Sequence, residues 1–176
     1  MKILVTGGSG FLGSHVADAL SQTGHTVTIF DKKKSKWIKS SQEMFIGDVL
    51  NIKDLEKVIK GADVVFDFAA LANIAQALKE PINTVKVNIL GTVLALELCR
   101  QHNIKRFIYA STSSVYGISK KKNVTEEHPL VPLTLYNKFK GLCEPLLFKH
   151  TDQNFHGVVF RPATVCGYAP RQRLDL

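Results

Sequence analysis

The sequence predicts a doubly wound α/β domain, a parallel sheet with helices on both faces, and three observations carry that prediction. Short β-branched runs alternate with longer stretches of helical apolar spacing, and a glycine-rich turn separates the first run from the first helical stretch. A later run, Val64-Val65-Phe66, is continuously apolar, as a strand covered on both faces must be. Such strands are joined by right-handed crossovers, and ligands of such sheets sit beyond the carboxyl ends of the strands.

The elements follow in order. Lys2-Ile3-Leu4-Val5-Thr6 is a β-branched run that stops at Gly7, and residues 11–21 carry Leu12, Val16, Ala19 and Leu20 at helical spacing before Gly24 closes them. Residues 26–30 form a second strand ended by Asp31, residues 43–47 a third, and residues 52–60 a short helix with Leu55, Val58 and Ile59 inward. The apolar run at 62–70 is the next strand. Pro81 opens a helix to residue 101, with Val85, Ile89, Val93 and Leu96 on one stripe and Leu90, Leu94 and Leu98 beside it, apolar enough to be largely buried. Residues 106–110 are a strand, 111–132 a polar loop, 135–150 a helix and 157–160 the last strand. Pro145 is expected to kink that helix or end it early, because proline lacks an N–H and its ring crowds the preceding turn.

Bulk composition narrows the class. With 176 residues, 45% apolar and 22% charged, the chain reads as one globular domain rather than a fibrous, collagen-like or wholly disordered one. Its longest strongly apolar stretch, 87–96, falls short of the ~20 residues a bilayer requires, so no membrane partner is expected. Glycines and serine interrupt the N-terminal region where a signal peptide would be continuously apolar, which points to the cytoplasm. Cys99, Cys143 and Cys166 are far apart and lack metal-binding spacing; they read as buried thiols, with neither a disulfide framework nor a metal site.

A balance of 23 Lys+Arg against 15 Asp+Glu gives +8, which favours an anionic partner. The excess lies in Lys32-Lys33-Lys34-Ser35-Lys36, Lys120-Lys121-Lys122 and Arg171-Gln172-Arg173, all read as solvated basic loops. No DNA-binding motif or interleaved stacking aromatics accompany them, so nucleic acid is not the expected partner.

Three segments carry chemistry. In Thr6-Gly7-Gly8-Ser9-Gly10-Phe11-Leu12-Gly13, Gly7 permits a tight turn, Gly10 lets the backbone approach a pyrophosphate, and Gly13 lets helix pack on strand, with the helix N–H groups turned to the anion. Asp31 then ends the second strand, where a carboxylate accepts hydrogen bonds from an adenosine ribose and repels a 2′-phosphate, favouring NAD. Lys32 to Lys34 beside it leave NADP open. Tyr136 and Lys140 stand at i and i+4 on one helix face, where an ammonium beside the phenol lowers its pKa from about 10 toward neutrality and makes it a usable base. Ser111-Thr112-Ser113-Ser114-Val115-Tyr116-Gly117 supplies hydroxyls at the carboxyl end of the preceding strand.

These segments, with GDV at 47–49, VFDFAA at 65–70, VNILGT at 87–92 and FRPATVCG at 160–167, resemble the extended short-chain dehydrogenase/reductases, the branch of nucleotide-sugar epimerases and dehydratases. The resemblance implies a Rossmann-like NAD(P)-binding fold with Tyr136 as catalytic acid/base, Lys140 tuning it and binding the nicotinamide ribose, and Thr112 bonding the substrate oxygen. It assigns cofactor contacts to Gly7, Gly10, Phe11, Leu12, Gly13, Asp31 and Lys32, to the adenine pair Asp48 and Val49, and to Phe68, Ala69, Ala70, Asn88, Pro162 and Ala163. Read without the family, Asp48 is a turn residue and Asn88 a buried amide.

Asp67 stands where the family often has His and Asn137 where a small residue is common, neither a catalytic position; the more telling departure is at Ser113 and Ser114, where dehydratases and decarboxylating members carry acids. The expectation is therefore an NAD-dependent 4-epimerase of a nucleotide-diphosphate sugar, with an NADPH-dependent carbonyl reductase and a non-catalytic dinucleotide sensor as alternatives. The resemblance also implies a homodimer formed through the helices at 81–101 and 135–150. The family's smaller substrate domain has no counterpart in the sequence, so this chain alone is expected to hold NAD without turnover.

Overall fold

The computed structural model describes residues 1–167. Lys2–Thr6 (β1), Thr26–Asp31 (β2), Gln42–Ile46 (β3), Val64–Asp67 (β4), Arg106–Ala110 (β5) and His156–Phe160 (β6) form one six-stranded sheet. Its order is β3-β2-β1-β4-β5-β6, and every neighbouring pair is parallel. The helices are Phe11–Gln22 (α1), Ile52–Ile59 (α2), Ile74–Lys79 (α3), Pro81–Val85 (α4), Thr92–Gln101 (α5) and Leu135–His150 (α6). Strand order reverses between β1 and β4, which opens a crevice at their carboxyl ends. The predicted doubly wound sheet is the observed one.

Alternation along each strand divides the core in two. Leu4, Phe30, Val65, Phe107 and Tyr109 pack with Leu55, Ile59, Leu96, Cys99, Cys143 and Leu147 of α2, α5 and α6. Ile3, Val5, Val27, Ile29 and Val64 pack with Ala17 of α1 on the opposite face.

The structure corrects several boundaries. β4 stops at Asp67 rather than running to Ala70: the Phe68 N–H still donates to the Thr6 carbonyl at 3.1 Å, but β1 ends there and Gly7 turns away with φ +65°. The short α3, unpredicted, is capped by Asn73, whose side chain accepts from the Gln76 N–H. The helix opened by Pro81 contains a wide π turn, Lys86–Gly91, between α4 and α5. Counted whole, Pro81–Gln101 is long and apolar enough to cross a membrane, which its contiguous apolar run had not suggested. Half of that stretch is buried inside this domain, with Val87, Asn88, Thr92, Ala95 and Leu96 inward, as in the core helix of a globular fold.

α6 runs through Pro145 to His150 instead of ending early. Cys143 and Glu144 before the proline and Leu147 after it are buried, so packing on both sides offsets the missing N–H. Cys99 and Cys143 are buried as expected, but Cys166 is exposed. Lys32–Lys34 and Lys120–Lys122 are exposed; Arg171-Gln172-Arg173 lies outside the described residues.

Candidate active site

The glycine turn is shaped by close approach. A Cβ at Gly7 would lie 2.7 Å from the Ala69 nitrogen, and one at Gly13 would lie 2.5 Å from the Gly7 carbonyl oxygen. The turn is thus pressed against the Phe68-Ala69 backbone on one side and the first turn of α1 on the other. Gly10, the N-cap of α1, supplies no side-chain cap, and the first turn carries no acid. The positive end of the helix faces the crevice with its amides uncovered by side chains, the geometry that suits a pyrophosphate. Phe11 and Leu12 are half-buried in that turn.

Asp31 ties β2 to this turn. Its Oδ2 accepts from the Ser9 N–H at 3.0 Å and its Oδ1 from the Lys33 N–H at 3.2 Å, while each carboxylate oxygen keeps a further lone pair for a ribose hydroxyl. Lys32 turns toward Asp48 instead of outward, with Nζ 3.0 Å from Oδ2, and Asp48 Oδ1 accepts from the Leu50 N–H. An ammonium engaged by a carboxylate is poorly placed to hold a 2′-phosphate. The side chain of Val49 is buried in the core against Gly91, so it can meet a ligand only through its backbone.

The residues after β4 meet the glycine turn through their backbone. The Phe68 ring packs between Phe66 and Phe160, with centroids 6.3 and 5.7 Å away, on the α1 side of the sheet. Only its backbone lines the turn. Ala69 donates its N–H to Thr6 Oγ1 at 3.4 Å. Asn88, fully buried in the π turn, spends its amide on one residue: Oδ1 accepts from the Leu71 N–H at 2.7 Å and Nδ2 donates to the Leu71 carbonyl at 3.2 Å. It therefore fixes the segment that follows Ala70 rather than reaching into the crevice itself.

Thr112 caps a 3₁₀ turn, Ser113–Tyr116, by accepting from the Ser114 N–H, and the Ser113 N–H donates to the Pro162 carbonyl at 2.9 Å. Thr112 and Pro162 are thereby brought together; Ala163 is exposed beside them. A buried network unforeseen from the sequence holds this corner. The Ser111 hydroxyl donates to Glu144, Arg161 forks onto the same carboxylate, and Arg161 Nη1 donates to the Tyr116 hydroxyl at 2.7 Å. Glu144 lies one turn beyond Lys140, and that i,i+4 spacing was the available signal.

Tyr136 and Lys140 share α6, yet their coupling departs from expectation. Burial pushes the Tyr136 hydroxyl above its ordinary range. The Lys140 side chain runs inward, is buried, and sets Nζ 4.6 Å from the centroid of the Tyr109 ring. Burial lowers its pKa, opposed by the charge of Asp67. The helical spacing fixes the face but not the direction a long side chain takes. Beside Tyr136 opens a cavity of about 400 Å³ lined by Ala77, Leu78, Leu133, Thr134, Leu135 and Lys138.

The NAD dependent epimerase/dehydratase family matches the chain over residues 3–175. An uncharacterized UDP-glucose epimerase of Bacillus subtilis is 35% identical over 193 residues, covering 100% of this chain and 60% of that protein. Among solved structures, a UDP-N-acetylglucosamine 4-epimerase from Methanobrevibacter ruminantium in complex with UDP-N-acetylmuramic acid is 32% identical with a TM-score of 0.82, over 91% of this chain and 54% of that one. A Thermus thermophilus UDP-glucose 4-epimerase complexed with NAD is 27% identical with a TM-score of 0.84, over 92% of this chain and 54% of that one. The chain spans about half the length of the curated relatives it matches.

Proposed function

The chain belongs to the NAD dependent epimerase/dehydratase family, and from that premise we propose that it is the cofactor-binding part of an NAD-dependent 4-epimerase of a nucleotide-diphosphate sugar. One observation carries the reading: the uncapped first turn of α1, the Asp31 carboxylate and the Thr112 and Tyr136 hydroxyls belong to segments that converge on the carboxyl ends of the strands where the sheet order reverses. Gly7, Gly10 and Gly13 would let the pyrophosphate approach the backbone, Asp31 would take the adenosine ribose, and Ala69 and Pro162 would border the nicotinamide end. NAD, when bound, accepts a hydride from a sugar carbon and can return it to the opposite face, leaving no net redox change.

The chain's own groups do the rest. Tyr136 removes the proton of the sugar hydroxyl as the hydride departs and gives it back at the end, which requires its phenolate, so the burial that raises its pKa must be offset when the site fills. Thr112 would bond the reacting oxygen, and Lys140 would hold the nicotinamide ribose once its ammonium turns from the Tyr109 ring toward the crevice. Ser113 and Ser114 offer no carboxylate acid for eliminating water, which favours epimerisation over dehydration. The cavity beside Tyr136 is the entrance available to the sugar. A keto-sugar reductase using NADPH is the second reading, and the Lys32–Asp48 ion pair weighs against it.

The exposed Ile82, Val85 and Leu90 on the helix opened by Pro81, with Leu142 and Leu146 on α6, support a homodimer through these helices. Sedimentation of a Leu142→Glu/Leu146→Glu variant as monomer, against a dimeric parent, is the expected result. Cytoplasmic residence is part of the same proposal. The function is tested by the mass and absorbance of the copurifying dinucleotide together with cofactor accounting during turnover: an epimerase leaves NAD unchanged, whereas stoichiometric oxidation of NADPH would install the reductase instead.

A further inference from the structure

On the α5/α6 face of the sheet lie two buried groups of opposite charge, neither of which forms an ion pair within 4 Å among the described residues. Asp67, at the end of β4, is 2% exposed. Among the described residues its oxygens accept hydroxyl protons alone, from Thr6 Oγ1 at 2.6 Å and Thr92 Oγ1 at 3.0 Å. Lys140 is also 2% exposed and rests its ammonium on the Tyr109 ring. The third buried ionic group nearby, Glu144, is neutralised by Arg161 and so is not available to Lys140. Asp67 and Tyr109 are register partners on β4 and β5, so their side chains leave the sheet side by side on the same face. The lysine that sits on Tyr109 is therefore next to the carboxylate.

Charges removed from water must be compensated, and hydroxyl donors leave a carboxylate its full negative charge. We propose that Asp67 is the electrostatic partner of Lys140, a positioning residue that holds the ammonium in place across the ring of Tyr109. The groups acting on Lys140 are Asp67 from β4 and Cys143 from α6, with the Tyr109 ring of β5 beneath the ammonium; Asp67 supplies the only formal negative charge among them. Desolvation drives the proton from Lys140, and the charge of Asp67 is the largest influence acting the other way. The cysteines and Tyr109 feel the same carboxylate, which pushes Cys99 and Tyr109 up beyond what burial alone does.

The consequence for the reaction rests on the reading of Lys140 as the ribose-binding, Tyr-tuning lysine. An uncharged Lys140 could neither hold a ribose by strong donation nor favour a phenolate at Tyr136. Asp67, standing where relatives often carry His, would then be this chain's own way of keeping that lysine charged.

The test separates the pairing from the reaction. In protein labelled with ¹³C at lysine Cε, the Lys140 signal, assigned by its loss in Lys140→Met, is followed against pH in the parent and in Asp67→Asn. The expected result is a fall of at least about tenfold in the proton affinity of Lys140, and an unchanged midpoint overturns the proposal. If Asp67→Asn does not fold, Lys140→Met decides. It leaves Asp67 uncompensated, so its stability deficit against the parent should be larger at about pH 8 than at about pH 5, and adding Asp67→Asn to it should restore stability. A deficit equal at both pH values, with no restoration by the double change, overturns the proposal. NAD calorimetry on Lys140→Met examines the underlying reading by itself: unaltered affinity removes Lys140 from the cofactor site whatever the titration shows.

Discussion

Arg161, just past β6, closes as a fork on Glu144 in the middle of α6, with Nε 3.1 and 3.2 Å from the two carboxylate oxygens and Nη2 2.6 Å from Oε2. The same guanidinium reaches the Tyr116 hydroxyl and the Glu126 carbonyl, and Ser111 bonds the same carboxylate. Thr112 follows Ser111, Pro162 follows Arg161, and Lys140 precedes Glu144 by one turn. One ion pair thus fixes the relative positions of Thr112, the end of β6 at Pro162, and the helix that carries Tyr136 and Lys140. The raised pKa of Arg161 has Glu144 as its main cause.

The first prediction follows from the unequal burial of the two partners, 16% exposure for the Arg161 side chain against 1% for Glu144. Arg161→Met leaves a carboxylate in the interior with no cation, and the loss should reach about 3–5 kcal/mol. Glu144→Gln leaves a guanidinium that water can reach, and it should cost less. Urea denaturation measures both. Equal losses would overturn the argument from unequal burial, and losses below about 1 kcal/mol for both would show that the pair contributes little.

Much of this arrangement could be read from the sequence, and the failures share a cause. The strands announced themselves because β-branched runs such as Lys2–Thr6 end on glycine or aspartate, and the glycine turn because its spacing is a local requirement of one backbone path. Phe68 to Ala70 looked like strand because they are apolar; that β1 had already ended beside them is a non-local fact. The i,i+4 spacing puts Lys140 on the correct face, but that its ammonium meets Tyr109 instead of Tyr136 depends on β4 and β5, distant in sequence. Asn88 was marked by type, while its partner, Leu71, is seventeen residues away across the π turn. The Glu144–Arg161 pair spans α6 and β6 and left only a helical spacing to notice.

The second prediction concerns the choice of dinucleotide. Asp31→Ser removes a ribose acceptor and should weaken NAD binding by about 1–3 kcal/mol while narrowing the gap to NADP. Asp48→Ala should act on the same gap from the other side, by freeing Lys32 from its 3.0 Å ion pair to meet a 2′-phosphate. Calorimetric titration of both dinucleotides checks each variant. A parent that already prefers NADP would overturn the assignment of Asp31.

The third concerns proton transfer. In a preparation competent for turnover, Tyr136→Phe should lower the rate at least about 10²-fold and leave NAD affinity nearly unchanged, since only the proton acceptor is lost. Because burial raises the Tyr136 pKa, the parent's rate should climb with pH through the neutral range as phenolate becomes populated. Tyr136→Phe should show no such climb. A variant with near-normal turnover would remove Tyr136 from the mechanism.

The last concerns stability in alkali. Burial raises the pKa values of Cys99, Cys143, Tyr109 and Tyr136, and lowers that of Lys140. For the four raised groups the unfolded chain loses its protons first, the thiols near about pH 8.5 and the phenols near about pH 10, so the native state binds more protons above those values. Their contribution is complete below the unfolded pKa values and declines as pH rises past them, by up to about 1.4 kcal/mol per pH unit for each group. Lys140 acts in the opposite sense: between its lowered native pKa and about 10.4 the unfolded chain holds a proton that the native state has released, so rising pH favours folding there. Two thiols already outweigh the one lysine, so the melting temperature should begin to fall from about pH 9, and more steeply once the phenols join near about pH 10. Cys99→Ala/Cys143→Ala lowers stability at every pH by its lost packing, but its alkaline decline should start nearer pH 10, where only the phenols remain to ionise. Thermal melts of both proteins across this range decide the matter. Parallel curves would mean that the two buried thiols play no part in the alkaline transition.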